Sequence, residues 1–145
     1  MKLLVKIAAL AAVVALLGAC CKCRSYQRKF SKPLVGTEWQ LVQLNGQDVQ
    51  PEEDAYTVLF GADGRLSGVG ACNRLMGTYQ LGENRALTVS QLASTRMACP
   101  GMEREQTYMD ALTATTHYEM DGPMLMLLSD GELRAVFQAL SLIHI

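Results

Sequence analysis

The sequence predicts a mainly β domain of the α+β class: a small antiparallel curled sheet, or incomplete barrel, of about eight strands with one covering helix. Three observations predict it. Short runs rich in β-forming residues recur between Leu34 and Leu140, separated by Gly, Asn and Asp at the intervals of an antiparallel meander. Within that region one stretch, Met102 to Thr115, carries apolar residues at helical spacing. Residues 34–140 are also one small domain long, with room for one core.

Ahead of the domain stands a processing segment, residues 1–19. Lys2 and Lys6 give it a positive start, and Ile7 to Leu17 an apolar run short of the ~20 residues that a spanning helix needs. It ends in Leu17-Gly18-Ala19-Cys20, which resembles the bacterial lipobox. That resemblance implies a diacylglyceryl group on the Cys20 sulfur, cleavage just before it, and Cys20 as the first residue of the mature chain. Two or more acyl chains hold a protein stably, at about 0.8 kcal/mol per buried methylene. The alternative is a plain secretory peptide cut after Ala19, leaving Cys20 free. Residue 21 is Cys rather than Asp and no acidic cluster follows, so the expected location is the outer membrane, facing the periplasm, in a Gram-negative source.

Residues 20–33 read as a basic tether. Lys22, Arg24, Arg28, Lys29 and Lys32 occur there without an acidic residue. Such a segment either feels anionic headgroups or serves as a solvated linker that its charge keeps extended. The full chain has 13 basic and 14 acidic residues, and loss of Lys2 and Lys6 leaves 11 against 14. That balance does not predict nucleic-acid binding, which calls for a basic stripe.

In the domain, Thr37 to Leu44 alternates, placing Trp39, Leu41 and Gln43 on one face and Gln40, Val42 and Leu44 on the other; Asn45-Gly46 is a strong hairpin signal. Tyr56 to Phe60 and Arg65 to Ala71 flank the Ala62-Asp63-Gly64 turn. Gly68 and Gly70 predict a bulge or the close approach of another backbone. Leu75 to Leu81, a Gly82-Glu83-Asn84 turn and Ala86 to Leu92 follow, leading into Ala93 to Cys99. Pro100-Gly101 breaks the pattern. In the helix that comes next, Tyr108, Met109, Ala111 and Leu112 share a face, while Glu103 and Glu105 sit in the first turn, where the macrodipole favours them. Thr116 to Met120, Met124 to Leu128 and Leu133 to Ala139, split by Asp121-Gly122 and Asp130-Gly131, complete the strands. The apolar tail at 141–145 has no turn chemistry before it and reads either as an extra strand or as an artefact of the sequence end.

Three stretches carry a family resemblance. Gly36-Thr37-Glu38-Trp39, then Gly70-Ala71-Cys72-Asn73-Arg74 ahead of Gly77-x-Tyr79, and Thr95-Arg96-Met97-Ala98-Cys99-Pro100 before Glu103 and the helix together resemble the META domain, also called the HslJ-like family, over about Leu34 to Ala139. The resemblance implies a compact antiparallel β fold with one helix, often on bacterial lipoproteins, with heat-inducible members and links to envelope stress or drug tolerance. It implies no reaction. The fold is also similar to that of the lipoprotein pilots that bind a lipid or partner peptide in a cleft, an analogy between folds rather than sites.

Among single residues, Cys72 and Cys99 are candidate disulfide partners, 27 positions apart in an oxidising compartment; two buried thiols are the alternative. Cys21 and Cys23 supply two thiolates, too few for a metal site, and the histidines are His117 and His144. Gly68 to Asn73 lacks the Lys-Ser/Thr ending of a phosphate loop. Asn73, Arg74 and Arg96 form a candidate ligand or partner patch, with Asp54, Glu103 and Glu105 as candidate partners for the arginines; bonds to loop carbonyls are the other role for these side chains. Met97, Met102, Met109, Met120, Met124 and Met126 either pack the core or line an adaptable cleft. No catalytic set, cofactor motif or metal site emerges. The expected function is therefore a non-enzymatic envelope lipoprotein, an interaction or stress-protective module; the alternative is a pilot-like carrier of a lipid or hydrophobic partner peptide. Its partners would be the membrane, through the N-terminal lipid, and an envelope protein or lipid.

Overall fold

The structure, a computed structural model, describes the backbone of residues 1–140 and their side chains apart from those of residues 14–23. The tail at 141–145 lies outside the described residues, as do the side chains of Cys20, Cys21 and Cys23.

Helix α1 (Lys2–Phe30) runs through the segment expected to be a leader and most of the expected tether. The tether is thus helical to Phe30, where an extended or free-standing linker was one expectation. Its last turn carries Arg28 and Lys29, suited to the negative end of the helix dipole. Extended backbone at Ser31 ends it, and Pro33 disfavours helix at the residue before. Among the described residues, no helix is long and apolar enough to cross a membrane.

Among the described residues nine strands build the sheet: β1 (Glu38–Leu44), β2 (Gln47–Asp48), β3 (Thr57–Phe60), β4 (Arg65–Val69), β5 (Arg74–Leu81), β6 (Leu87–Ser94), β7 (His117–Asp121), β8 (Met124–Ser129) and β9 (Glu132–Ala139). Eight follow the order β6-β5-β4-β3-β1-β9-β8-β7, all neighbours antiparallel, with the two-residue β2 added on β1 beyond the Asn45-Gly46 hairpin. The first and last strands of the domain therefore pair at the centre. The sheet curls until its edges, β6 and β7, meet at a single bridge, Ala86 to His117. There the Leu87 amide donates to the Thr116 carbonyl at 2.9 Å, and Arg85 pairs with Glu119 at 2.6 Å. Helix α2 (Met102–Ala114) packs chiefly against β6 and closes the open side.

Burial follows the alternation with one shift. Trp39 and Leu41 are fully buried, but a bulge between Leu41 and Gln43 changes the register against β9 and brings Leu44, not Gln43, into the core. Gln40 is buried too, and its amide donates to the carbonyls of Glu52 (2.6 Å) and Ala55 (3.3 Å). The close approach expected at Gly68 is real: a Cβ there would lie 2.2 Å from the Thr57 carbonyl oxygen. Strand β6 stops at Ser94, so Thr95 to Cys99 is loop rather than strand. The turn before β6 is a short 3-10 turn, Glu83–Arg85, with Asn84 left-handed inside it.

Candidate functional site

Helix α2 buries Glu105, Tyr108, Ala111 and Leu112. Glu105 stands in the first turn, as expected, but it is only 2% exposed and therefore faces the interior rather than pairing with an arginine at the surface. The spacing 105, 108, 112 was the available signal, because it sets the carboxylate on the same face as Tyr108 and Leu112. What satisfies it comes from the β4–β5 connection. Glu105 Oε2 accepts the amides of Ala71 (2.8 Å), Cys72 (3.3 Å) and Asn73 (3.3 Å), while Oε1 accepts Asn73 Nδ2 at 2.7 Å. Burial works to raise its pKa, but the bonds from the Asn73 side chain and the three amides outweigh burial and hold the carboxyl below the ordinary glutamate range. Glu105 is thus an anion with both oxygens occupied, suited to tying loop to helix rather than to accepting a substrate proton.

Gly70 makes room for this. A Cβ there would lie 2.5 Å from Glu105 Oε2, and the Gly70 backbone bonds Asn73 and Tyr56 instead. Asn73, fully buried, reaches the other way. Its Oδ1 accepts Met97 N (2.7 Å) and Thr95 Oγ1 (3.0 Å), and its Nδ2 also donates to Met97 O (3.2 Å). One side chain therefore grips both backbone groups of Met97. The same two segments are covalently joined by the Cys72–Cys99 disulfide, with Cα atoms 6.5 Å apart. Below them, burial pushes the Tyr108 phenol far above its ordinary range, leaving it a fixed donor to Thr57 O at 3.1 Å.

The candidate patch divides. Asn73 is interior, so it offers no surface; Arg74 and Arg96 are exposed, on β5 and on the 95–99 loop. Among the described residues no ion pair joins either arginine to Asp54, Glu103 or Glu105. Arg96 instead borders an open groove of about 680 Å³ between the end of β6 and α2, which Met97, Met102 and Met109 line. Met97 is 56% exposed and Met102 40%, whereas Met120 packs against the core and Met124 and Met126 are half-buried in β8. His117 is exposed at the head of β7, with Nδ1 3.0 Å from Thr116 Oγ1. Among the described residues no group of three His, Cys, Asp or Glu is placed to hold a metal.

A family model for the META domain matches residues 32–141. The chain belongs to the META domain family. The nine-stranded sheet with one packed helix is the architecture expected of it. This META domain is similar to a protein from Burkholderia xenovorans solved by NMR, at 33% identity and TM-score 0.57, over 73% of this chain and 83% of that one. A second NMR structure is similar at 25% identity and TM-score 0.59, covering 74% and 92% of the two chains. A crystal structure of a DUF4847 family protein from Bacteroides vulgatus shares the fold at 18% identity and TM-score 0.57, over 73% and 93%. No curated protein matches the chain.

Proposed function

We propose that this META-domain protein is a non-enzymatic lipoprotein of the cell envelope, anchored through Cys20 at the outer membrane, and that its domain acts there as an interaction or stress-protective module. One observation carries the non-catalytic part: the most chemically loaded side chain of the domain, Glu105, is buried and saturated by four donors. A general base needs a free lone pair within reach of substrate. The anchoring part is supported by the Leu17-Gly18-Ala19-Cys20 sequence. Cys20→Ala abolishes acylation and moves the protein from the membrane to the soluble periplasmic fraction; unchanged palmitate labelling and fractionation sink the anchor.

The groove between β6 and α2 favours a second reading, a carrier for a lipid or hydrophobic partner peptide. Thioether side chains adapt to irregular apolar shapes, and Met97 and Met102 are both partly exposed along the groove, although the Met102 sulfur itself accepts from Asn73 Nδ2 at 3.7 Å. Native mass spectrometry separates the two. An interaction module flies as a bare acylated chain, whereas a retained second lipid or peptide mass establishes the carrier.

A further inference from the structure

The chain segregates its charge. Residues 20–33 hold 5 basic residues and no acid, while residues 34–140 hold 6 basic residues and all 14 acidic ones. The tether is strongly positive and the domain strongly negative. The structure adds faces to that division. Arg24, Arg28 and Lys29 on α1 are all exposed, whereas Gln27 and Phe30 are half-buried. At about 3.6 residues per turn, Arg24 and Arg28 stack one turn apart, away from Tyr26 and Phe30, whereas Lys29 turns toward that other side and sets its ammonium over the Phe30 ring, 5.6 Å from the centroid.

That second side is held by the domain. Gln27 Nε2 donates to Asp121 Oδ1, and the Gly122 amide donates back to Gln27 Oε1 at 3.3 Å. Tyr26 lies against the same turn, 3.7 Å from where a Cβ on Gly122 would stand, and its ring meets that of Phe30 at 4.6 Å between centroids. The helix has one face for the protein and another, cationic, for something else.

We propose that residues 24–30 lie on an anionic phospholipid surface by their Arg24 and Arg28 face while Gln27 docks the domain, so that the Asp121-Gly122 turn is held toward the bilayer. This rests on anchoring at Cys20, which places the basic face within about one Debye length of the headgroups. Charge complementarity selects the occupant: an anionic bilayer attracts this helix and repels the acidic domain, which keeps the rest of the sheet off the surface.

The test uses the mature protein purified from membranes, with intact mass reporting acylation. It is mixed with phosphatidylcholine vesicles with and without phosphatidylglycerol, and amide hydrogen exchange is followed. Exchange across residues 24–30 slows roughly tenfold with phosphatidylglycerol only, and high salt reverses it. The double variant Arg24→Glu/Arg28→Glu loses that slowing and keeps its helix content. Gln27→Ala keeps the slowing but frees the Gly122 amide to exchange. Equal exchange on the two vesicles overturns the membrane face, whether or not Cys20 is acylated; a Gly122 amide indifferent to Gln27→Ala overturns the docking. Absence of the acyl mass would count against the anchor alone.

Discussion

Glu105→Ala lowers the stability of the domain by about 3–5 kcal/mol, because it strips the shared acceptor from the amides of Ala71, Cys72 and Asn73 and from the Asn73 side chain. At roughly 4 °C or more per kcal/mol for a domain of this size, the melting temperature falls by about 12–20 °C. Glu105→Gln is milder, about 2 kcal/mol, since one oxygen remains while its new amide faces donors. The two variants also differ from the parent in acid. Glu105 has a folded-state pKa below its unfolded one. Its contribution is therefore complete above the unfolded value, about 4.3, and is lost as pH falls through the lowered folded value. Urea titrations at a series of acidic pH values read this directly: the parent loses stability in that window and Glu105→Gln lacks that component. A Gln variant with the parent's full slope would mean that the carboxylate is not ionised in its cluster.

Reduction of the Cys72–Cys99 disulfide, or its replacement by Cys72→Ser/Cys99→Ser, costs about 3–4 kcal/mol on the chain-entropy model for a loop of 27 residues. The cost is not independent of Glu105. The disulfide and the carboxylate secure the same junction, since Asn73 bonds both Glu105 and the Met97 backbone. Once either tie is cut, the other has less to hold. The combined variant accordingly loses less than the sum of the two single losses, a coupling of about 1 kcal/mol or more in a double-mutant cycle. Strict additivity in urea would show two separate devices.

Most of the sheet was legible because alternation and turn chemistry are local. Asn45-Gly46, Asp63-Gly64, Asp121-Gly122 and Asp130-Gly131 each mark a reversal that the fold uses. Leu44 was misplaced because a one-residue bulge shifts register without a marker in the alternation. The burial of Glu105 went unread for a different reason. A glutamate in a first helical turn satisfies the dipole whether it faces water or the interior, and only the amides of a loop more than thirty residues earlier decide which. The resemblance marked Asn73, Cys72 and Cys99, but not that Asn73 faces inward. The helical tether escaped because like charges in a row suit a solvated linker as well as one side of a helix; what distinguishes them is a distant turn at Asp121-Gly122.

Strand β9 lies between β1 and β8 at the middle of the sheet, although it is the last element of the domain to be synthesised. A nascent chain lacking residues 132–139 consequently leaves β1 and β8 without the strand that lies between them, and β1 to β6 touch the β7–β8 hairpin only at the Ala86–His117 edge. Pairing across so long a sequence separation is slow. The centre of the sheet is thus completed only after residues 132–139 have left the ribosome, which makes the joining of β1, β9 and β8 the late step of folding.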